Sequence, residues 1–157
     1  MKVEVWCVGK NSQRYLDEGI QLYKSKLNHY FSFEYIDIIE SKAQRSSDKD
    51  KSLAHQAEMI LKKLSPDDHL ILLDEHGKKY TSREFSLLVN KWMVSSYKRV
   101  VLLIGGAFGF HHTVVNRAKD KISLSEMTFS HDMVRLFLLE QLYRAGTILK
   151  NEPYHND

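Results

Sequence analysis

Three groups of residues in this chain carry chemistry that a bare scaffold does not require. The first is the glycine-rich break Gly105-Gly106-Ala107-Phe108-Gly109, which follows directly on the apolar run Arg99 to Ile104. The second is the stretch from Ile122 to His131, a short apolar run that opens into Ser125, Glu126, Met127, Thr128, Phe129 and Ser130. Both breaks lie at the ends of strand-like segments. In an open α/β sheet, ligands sit beyond the carboxyl ends of the strands, where turn amides and carbonyls remain free to bind. A nucleotide-like molecule suits such a place, although glycines there also serve simply to permit tight turning and positive φ. The third group is the tail from Lys150 to Asp157, with Tyr154 and His155 side by side, and Arg144 in the apolar segment before it. Residues past a terminal helix are commonly idle. A phenol and an imidazole nevertheless hydrogen-bond, titrate and stack on a base. Arg144 has a plainer role available, as a snorkelling or ion-paired interface residue.

Other chemistries lack their residues. The glycine break is not the dinucleotide fingerprint, which belongs after the first strand of a βαβ unit, and no loop ends in the Gly-Lys-Ser/Thr that cradles phosphates. A Gly-x-Ser-x-Gly elbow is missing as well. The eight histidines show neither His-Glu-x-x-His spacing nor a Cys/His cluster, so no metal is expected. The lone Cys7 stands among Val5, Trp6 and Val8, which reads as a buried thiol rather than an activated nucleophile. His131 and Asp132 open the last helical segment, where either can serve as its N-cap, a role that competes with catalysis.

At 157 residues the chain is expected to form one domain, residues 1–157, with enough core to need no disulfide or metal. A single cysteine fits a reducing compartment, hence the cytoplasm. No apolar run approaches the ~20 residues that cross a bilayer, so no membrane partner is expected. The net charge of +3 is too small to identify nucleic acid as a partner. Lys10, Arg14, Arg117, Lys119, Lys121 and Arg135 are nonetheless the candidates for phosphate contact.

Hydrophobic periodicity predicts alternating strands and helices. Strands are expected at Val3–Val8, Phe33–Ile39, His69–Asp74, Arg99–Ile104 and Ile122–Leu124. Helices are expected at Ser12–Tyr30, Leu53–Leu64, from Thr81 or Ser82 onward, His112–Arg117 and His131–Leu149. The polar segment Glu40–Lys51 reads as a mobile loop, and Glu75-His76-Gly77 as a turn. Such alternation implies an α/β fold: a parallel-type sheet with helices on both faces, because parallel neighbours need crossover helices. The last helix is apolar most of the way round, so it must be buried on two sides, and a second copy of the chain is the natural partner.

Several of these stretches together resemble the RlmH family. They are Val8-Gly9-Lys10, the run Leu72 to Lys78, Ile104 to Gly109, Ser123 to Phe129, Gln141-Leu142-Tyr143-Arg144-Ala145, and Pro153-Tyr154-His155, in that order along nearly the whole chain. The resemblance implies a SPOUT-class enzyme, with a trefoil knot in its carboxy-terminal part, that uses S-adenosylmethionine to methylate N3 of a pseudouridine in 23S ribosomal RNA. It implies a homodimer acting on assembled ribosomes, with the cofactor held by the knotted loops at the dimer interface. By position, the cofactor pocket is expected to include Leu73, Gly105, Leu124, Ser125, Glu126, Met127, Thr128 and Phe129, with Arg144, Tyr154 and His155 at the target base. Ser130 departs from the family, which commonly has proline there, and a serine at that place can cap the final helix.

The mechanism this implies is methyl transfer by alignment, without a covalent intermediate. His155 or Tyr154 would accept the imide proton or orient the base, and Arg144 would stabilise the anion. Two alternatives remain: a SPOUT methyltransferase acting on transfer RNA, and a non-catalytic RNA-binding relative that retains the fold.

Overall fold

Five apolar runs form one parallel sheet in the computed structural model, whose described residues are 1–42 and 45–156. In chain order the elements are β1 (Lys2–Val8), α1 (Arg14–Leu27), β2 (Ser32–Ile38), α2 (Lys49–Lys63) and β3 (His69–Lys79). They continue as α3 (Ser82–Val94), β4 (Arg99–Ile104), α4 (His112–Arg117), β5 (Asp120–Ser123) and α5 (His131–Leu149). The strand order is β2-β1-β4-β3-β5, and every neighbouring pair is parallel. All loops of the carboxyl edge therefore lie at one end of the sheet.

The central strands have no polar face because both faces are covered. Val3, Val5 and Cys7 of β1, with Val100, Leu102 and Ile104 of β4, meet Leu16 and Ile20 of α1, Phe85 and Val89 of α3, and Leu138 and Leu142 of α5. The alternate residues Trp6, Val8, Val101 and Leu103 meet Ala57 and Ile60 of α2 and Val114 of α4. Two-sided burial produces the near-continuous apolar runs that distinguish parallel strands. The expected α/β class and the two helical layers are thus present.

Boundaries differ where a tertiary partner outweighs the local pattern. Helix α1 begins at Arg14 rather than Ser12, because the Ser12 hydroxyl and amide are both given to Asp132. It ends at Leu27, and Tyr30 instead turns its ring against Tyr143, with centroids 5.6 Å apart. Strand β2 starts and stops one residue early, at Ser32 and Ile38. Helix α2 starts four residues before the expected Leu53, because Asp48 caps it by accepting from the amides of Asp50 and Lys51 at 2.9 and 3.1 Å. The expected mobile loop therefore loses Lys49–Lys51 to the helix, and its residues 43–44 lie outside the described residues.

The largest correction is β3. Residues 75–77 are not a free turn: the strand bulges between Leu73 and Lys78, then resumes pairing with Ile122 and Ser123 of β5. Gly77 makes this possible, since a Cβ there would stand 2.6 Å from the Ile122 backbone. The close pairing also draws β5 back to Asp120–Ser123, so that Leu124, expected in the strand, begins the following loop. Helix α3 is started by a complete capping box between Thr81 and Glu84. Helix α5 is capped by Ser130, whose hydroxyl accepts from the Met133 amide at 3.4 Å, and not by His131 or Asp132.

Candidate active site

The bulge of β3 and the carboxyl ends of β4 and β5 wall a cavity of about 540 Å³. Of the eight residues expected at a cofactor pocket, Leu73, Gly105, Leu124, Ser125, Met127, Thr128 and Phe129 line it. Glu126 does not: its carboxylate turns out to the Lys79 ammonium at 2.6 Å, and that hydrogen bond holds its carboxyl below the usual range. The loop from Ser123 to Phe129 is shaped by its own short bonds. The Ser123 hydroxyl donates to the Ser125 carbonyl at 2.9 Å, the Ser125 hydroxyl accepts from the Met127 amide at 2.9 Å, and Phe129 packs edge-on against Phe137. Opposite it, Gly109 (φ 74°) closes the glycine turn by donating to the Gly106 carbonyl at 3.1 Å.

Sequence reasoning missed two carboxylates of this cavity, Asp74 and Glu75, at the bulge of β3. Asp74 accepts from the His76 amide at 2.9 Å and faces the Lys121 ammonium at 3.6 Å, while Glu75 accepts from the Thr128 hydroxyl at 3.4 Å. Their signal was available: a charged pair following an apolar run is misplaced in a core. A cavity of this size, apolar along Leu73, Ile104, Phe110 and Val134 and edged by carboxylates and main-chain groups, has the usual make-up of a small-molecule site.

A second cluster lies toward the carboxyl end of α5. Arg144, Tyr154 and His155 are brought together, so the tail is docked rather than idle. The Arg144 guanidinium lies over the Tyr154 ring, 4.7 Å from its centroid, and donates from Nη1 to His155 Nδ1 at 3.2 Å. Arginine has donors only, so His155 Nδ1 is the acceptor in this contact. The residue that organises the group is Glu140, one helical turn before Arg144. Its Oε1 receives Arg144 Nε at 3.1 Å, Nη2 at 2.6 Å and the Tyr154 hydroxyl at 3.1 Å. Glu140 went unnoticed because i,i+4 Glu–Arg pairs are common on exposed helix faces.

Burial pushes the Tyr154 phenol well above its ordinary value, and the bonds to Tyr23 and Glu140 push it the same way. Tyr154 is therefore a hydrogen-bond donor at neutral pH. Glu140 also lines a smaller cavity of about 310 Å³, which shares Ile122, Ser123, Leu124, Ser125 and Phe129 with the larger one. The loop of the large cavity is thus the wall between it and the tail cluster.

Two of the basic residues expected to touch phosphate are committed elsewhere. Arg135 is fully buried; its guanidinium donates to the carbonyls of Val8 and Gly9 at 3.0 and 3.1 Å and to Asp37 at 3.2 Å. Arg117 donates to the carbonyls of Ser65, Pro66 and Asp68 at 2.8, 3.1 and 3.0 Å. Lys10, Arg14 and Lys119 are exposed, and Lys121 is half-buried. Cys7 is buried, and desolvation pushes its thiol up to about 12, which leaves it no nucleophilic role. Among the described residues, no helix is long and apolar enough to cross a membrane.

Known proteins resemble this chain along essentially its whole length. The family described as Predicted SPOUT methyltransferase matches residues 1–155. A Ribosomal RNA large subunit methyltransferase H of Cytophaga hutchinsonii is 47% identical over 156 residues, covering 99% of this chain and 100% of that protein. Proteins of the same name from Christiangramia forsetii and Parabacteroides distasonis are each 45% identical, the first covering 99% of both chains and the second 100% of both. With a match along essentially its whole length and relatives this similar end to end, the chain belongs to the SPOUT methyltransferase family.

Proposed function

We propose that this chain, as one domain over residues 1–157, is a ribosomal RNA methyltransferase that transfers a methyl group from S-adenosylmethionine to N3 of a pseudouridine in 23S RNA. The observation that carries this reading is the end-to-end similarity to relatives named as large-subunit ribosomal RNA methyltransferases. The substrate is the assembled ribosome, in the cytoplasm. A compact α/β domain suits a target recognised through shape and exposed, unstacked bases.

S-adenosylmethionine supplies an activated methyl group on a positively charged sulfur when bound. The large cavity suits it: carboxylates of Asp74 and Glu75 complement positive charge, and main-chain groups at the bulge of β3 and the ends of β4 and β5 suit a purine edge. The knot that the family implies belongs to the carboxy-terminal part of the chain.

Homodimerisation resolves a difficulty of distance. Val134 borders the large cavity and Arg144 lies ten residues on, roughly 15 Å along the helix at 1.5 Å per residue. Reacting atoms must approach within about 3–3.5 Å. With the loop of residues 124–129 also standing as a wall between the two within one chain, the tail cluster of one protomer would serve the cofactor cavity of the other. The apolar surface for such pairing is present: Met133, Leu136 and Phe137 of α5 remain part-exposed, and Tyr15 and Leu22 of α1 are 71% and 51% exposed.

The N3 imide of pseudouridine carries a proton that must leave as the N–C bond forms. Tyr154, held protonated against Glu140, orients the base as a donor. Arg144 turns from His155 Nδ1 to the developing imide charge, and the freed Nδ1 takes the N3 proton. The test is methyl transfer from labelled S-adenosylmethionine to ribosomes from a strain lacking this protein, with unmodified transfer RNA as control. Label at N3 of a pseudouridine in the large-subunit RNA is the expected result. Label in transfer RNA alone, or cofactor binding with no label in either, overturns the assignment.

A further inference from the structure

Phe108 stands at the apex of the glycine turn, beside the large cavity and outside its lining. Gly106, Ala107, Gly109 and Phe110 all border the cavity, whereas the Phe108 ring is 58% exposed. The ring has no core to fill and no part in holding a molecule within the cavity. Its support is nonetheless stiff: Gly106 and Gly109 form a bridge across the turn, with the Gly109 amide on the Gly106 carbonyl at 3.1 Å.

One cation lies against the ring. The Lys49 ammonium lies 5.6 Å from the Phe108 centroid, and Lys42, Arg45 and Lys51 belong to the same segment, against Asp48 and Asp50. The Asp48 carboxylate is already occupied in capping α2. Three and four residues further along the chain, the rings of His111 and His112 lie 4.1 Å apart, and His112 is exposed. An isolated exposed phenylalanine is ordinary on a soluble protein. A ring raised on a closed turn, with a cation against it, has the features of a platform for an unpaired nucleotide.

We propose that Phe108 is a stacking contact for an unpaired nucleotide of the substrate RNA, next to the target base, with Lys49 meeting the adjoining phosphate. This rests on the ribosomal RNA reading above and adds to it the place where RNA outside the target base is held. The chemistry favours RNA over a protein partner: an aromatic ring with the Lys49 ammonium against it complements a base and its adjoining phosphate. Stacking also suits a substrate read through splayed bases.

The test compares wild type with Phe108→Ala, Phe108→Leu and Phe108→Trp as full-length chains. Methyl transfer to ribosomes is measured as kcat and KM, and S-adenosylmethionine affinity by calorimetry. Ala and Leu are expected to raise KM for ribosomes about tenfold, near the low end of what one base–aromatic stack contributes, while Trp stays within about twofold. Values of kcat and cofactor affinity stay unchanged in all three. Lys49→Ala weakens ribosome binding and makes it less salt-dependent.

An unchanged KM for Phe108→Ala, in a preparation whose wild type methylates ribosomes, overturns the stacking contact and leaves the ribosomal RNA reading standing. A Leu variant as good as Trp overturns stacking in favour of simple apolar contact. Loss of the dimer by light scattering in Phe108→Ala assigns the ring to a subunit contact instead. Absence of ribosome methylation by wild type removes the reading on which the contact rests.

Discussion

Replacing Arg135 with methionine should destabilise the protein by about 4 kcal/mol, within the 3–5 kcal/mol range for removing one partner of a buried ion pair. The guanidinium is fully buried between three elements. It donates to the carbonyls of Val8 and Gly9 at the end of β1, to Asp37 of β2 at 3.2 Å, and faces Asp132 of its own helix at 3.5 Å. Methionine fills much of the volume and restores none of these bonds. Asp37 retains water, its side chain being 34% exposed, so its loss is small. Asp132 is the costly partner: its side chain is 4% exposed, and Ser12 is its remaining donor.

Urea unfolding at fixed protein concentration is the assay, because the proposed dimer would make stability depend on concentration. An unchanged m-value would confirm that the loss is one of stability alone. In thermal unfolding, 4 kcal/mol corresponds to roughly 8–16 °C for a chain of this size. Adding Asp132→Asn should return at least 1 kcal/mol, since the uncompensated charge is then gone. A loss below 1 kcal/mol for Arg135→Met, or a double variant worse than the sum of the singles, refutes this account of the network.

Three further outcomes follow from the geometry. Gly77→Ala should lower stability by several kcal/mol or prevent folding, because its Cβ would meet the Ile122 backbone at 2.6 Å, and circular dichroism of the purified variant checks this. In single-turnover methylation, His155→Asn should slow the chemical step about 10²–10⁴-fold and Tyr154→Phe by less, with unchanged S-adenosylmethionine affinity; equal, full rates in both would reduce the tail to a clamp. Stability should also fall on acidification below about pH 4.5. Burial acts to raise the carboxyls of Asp68 and Glu4, but hydrogen bonds, to Arg99 for Asp68 and to Lys2 and Trp6 for Glu4, hold both below their ordinary values of 3.8 and 4.5. Groups depressed in the folded state stabilise it above the ordinary value, and that contribution disappears as pH falls through the folded one. Asp68→Asn should be less stable at pH 7 and show a shallower fall in Tm between pH 5 and 3.

What could be read from the residues was what is decided locally. Strand β4 and helices α4 and α5 lie at their expected bounds, because each is an apolar pattern ended by glycines, a cap or a polar break. The Thr81–Glu84 capping box is likewise a signal of four adjacent residues. Arg135 and Arg117 show the opposite case: an arginine in a sequence reads as a surface cation, and only the folded chain reveals it among main-chain carbonyls. The extension of β3 past a turn signal depends on β5, some 45 residues later, approaching a bare Gly77. Within the site, glycines and strand ends pointed to the cavity, and Tyr154 beside His155 to the tail. Glu140 came to light only through the three hydrogen bonds that converge on one of its oxygens.

The most direct test of the whole account is complementation between two inactive variants. Thr128→Trp would fill the cofactor cavity, and Arg144→Ala would remove the cation of the tail cluster, each abolishing ribosome methylation by its own dimer. When the two are mixed and allowed to exchange subunits, half of the dimers are mixed and one of their two sites is intact, so activity should return to about a quarter of wild type. Mixed dimers confirmed by mass, with activity no higher than either parent, would contradict the claim that one protomer's tail completes its partner's site.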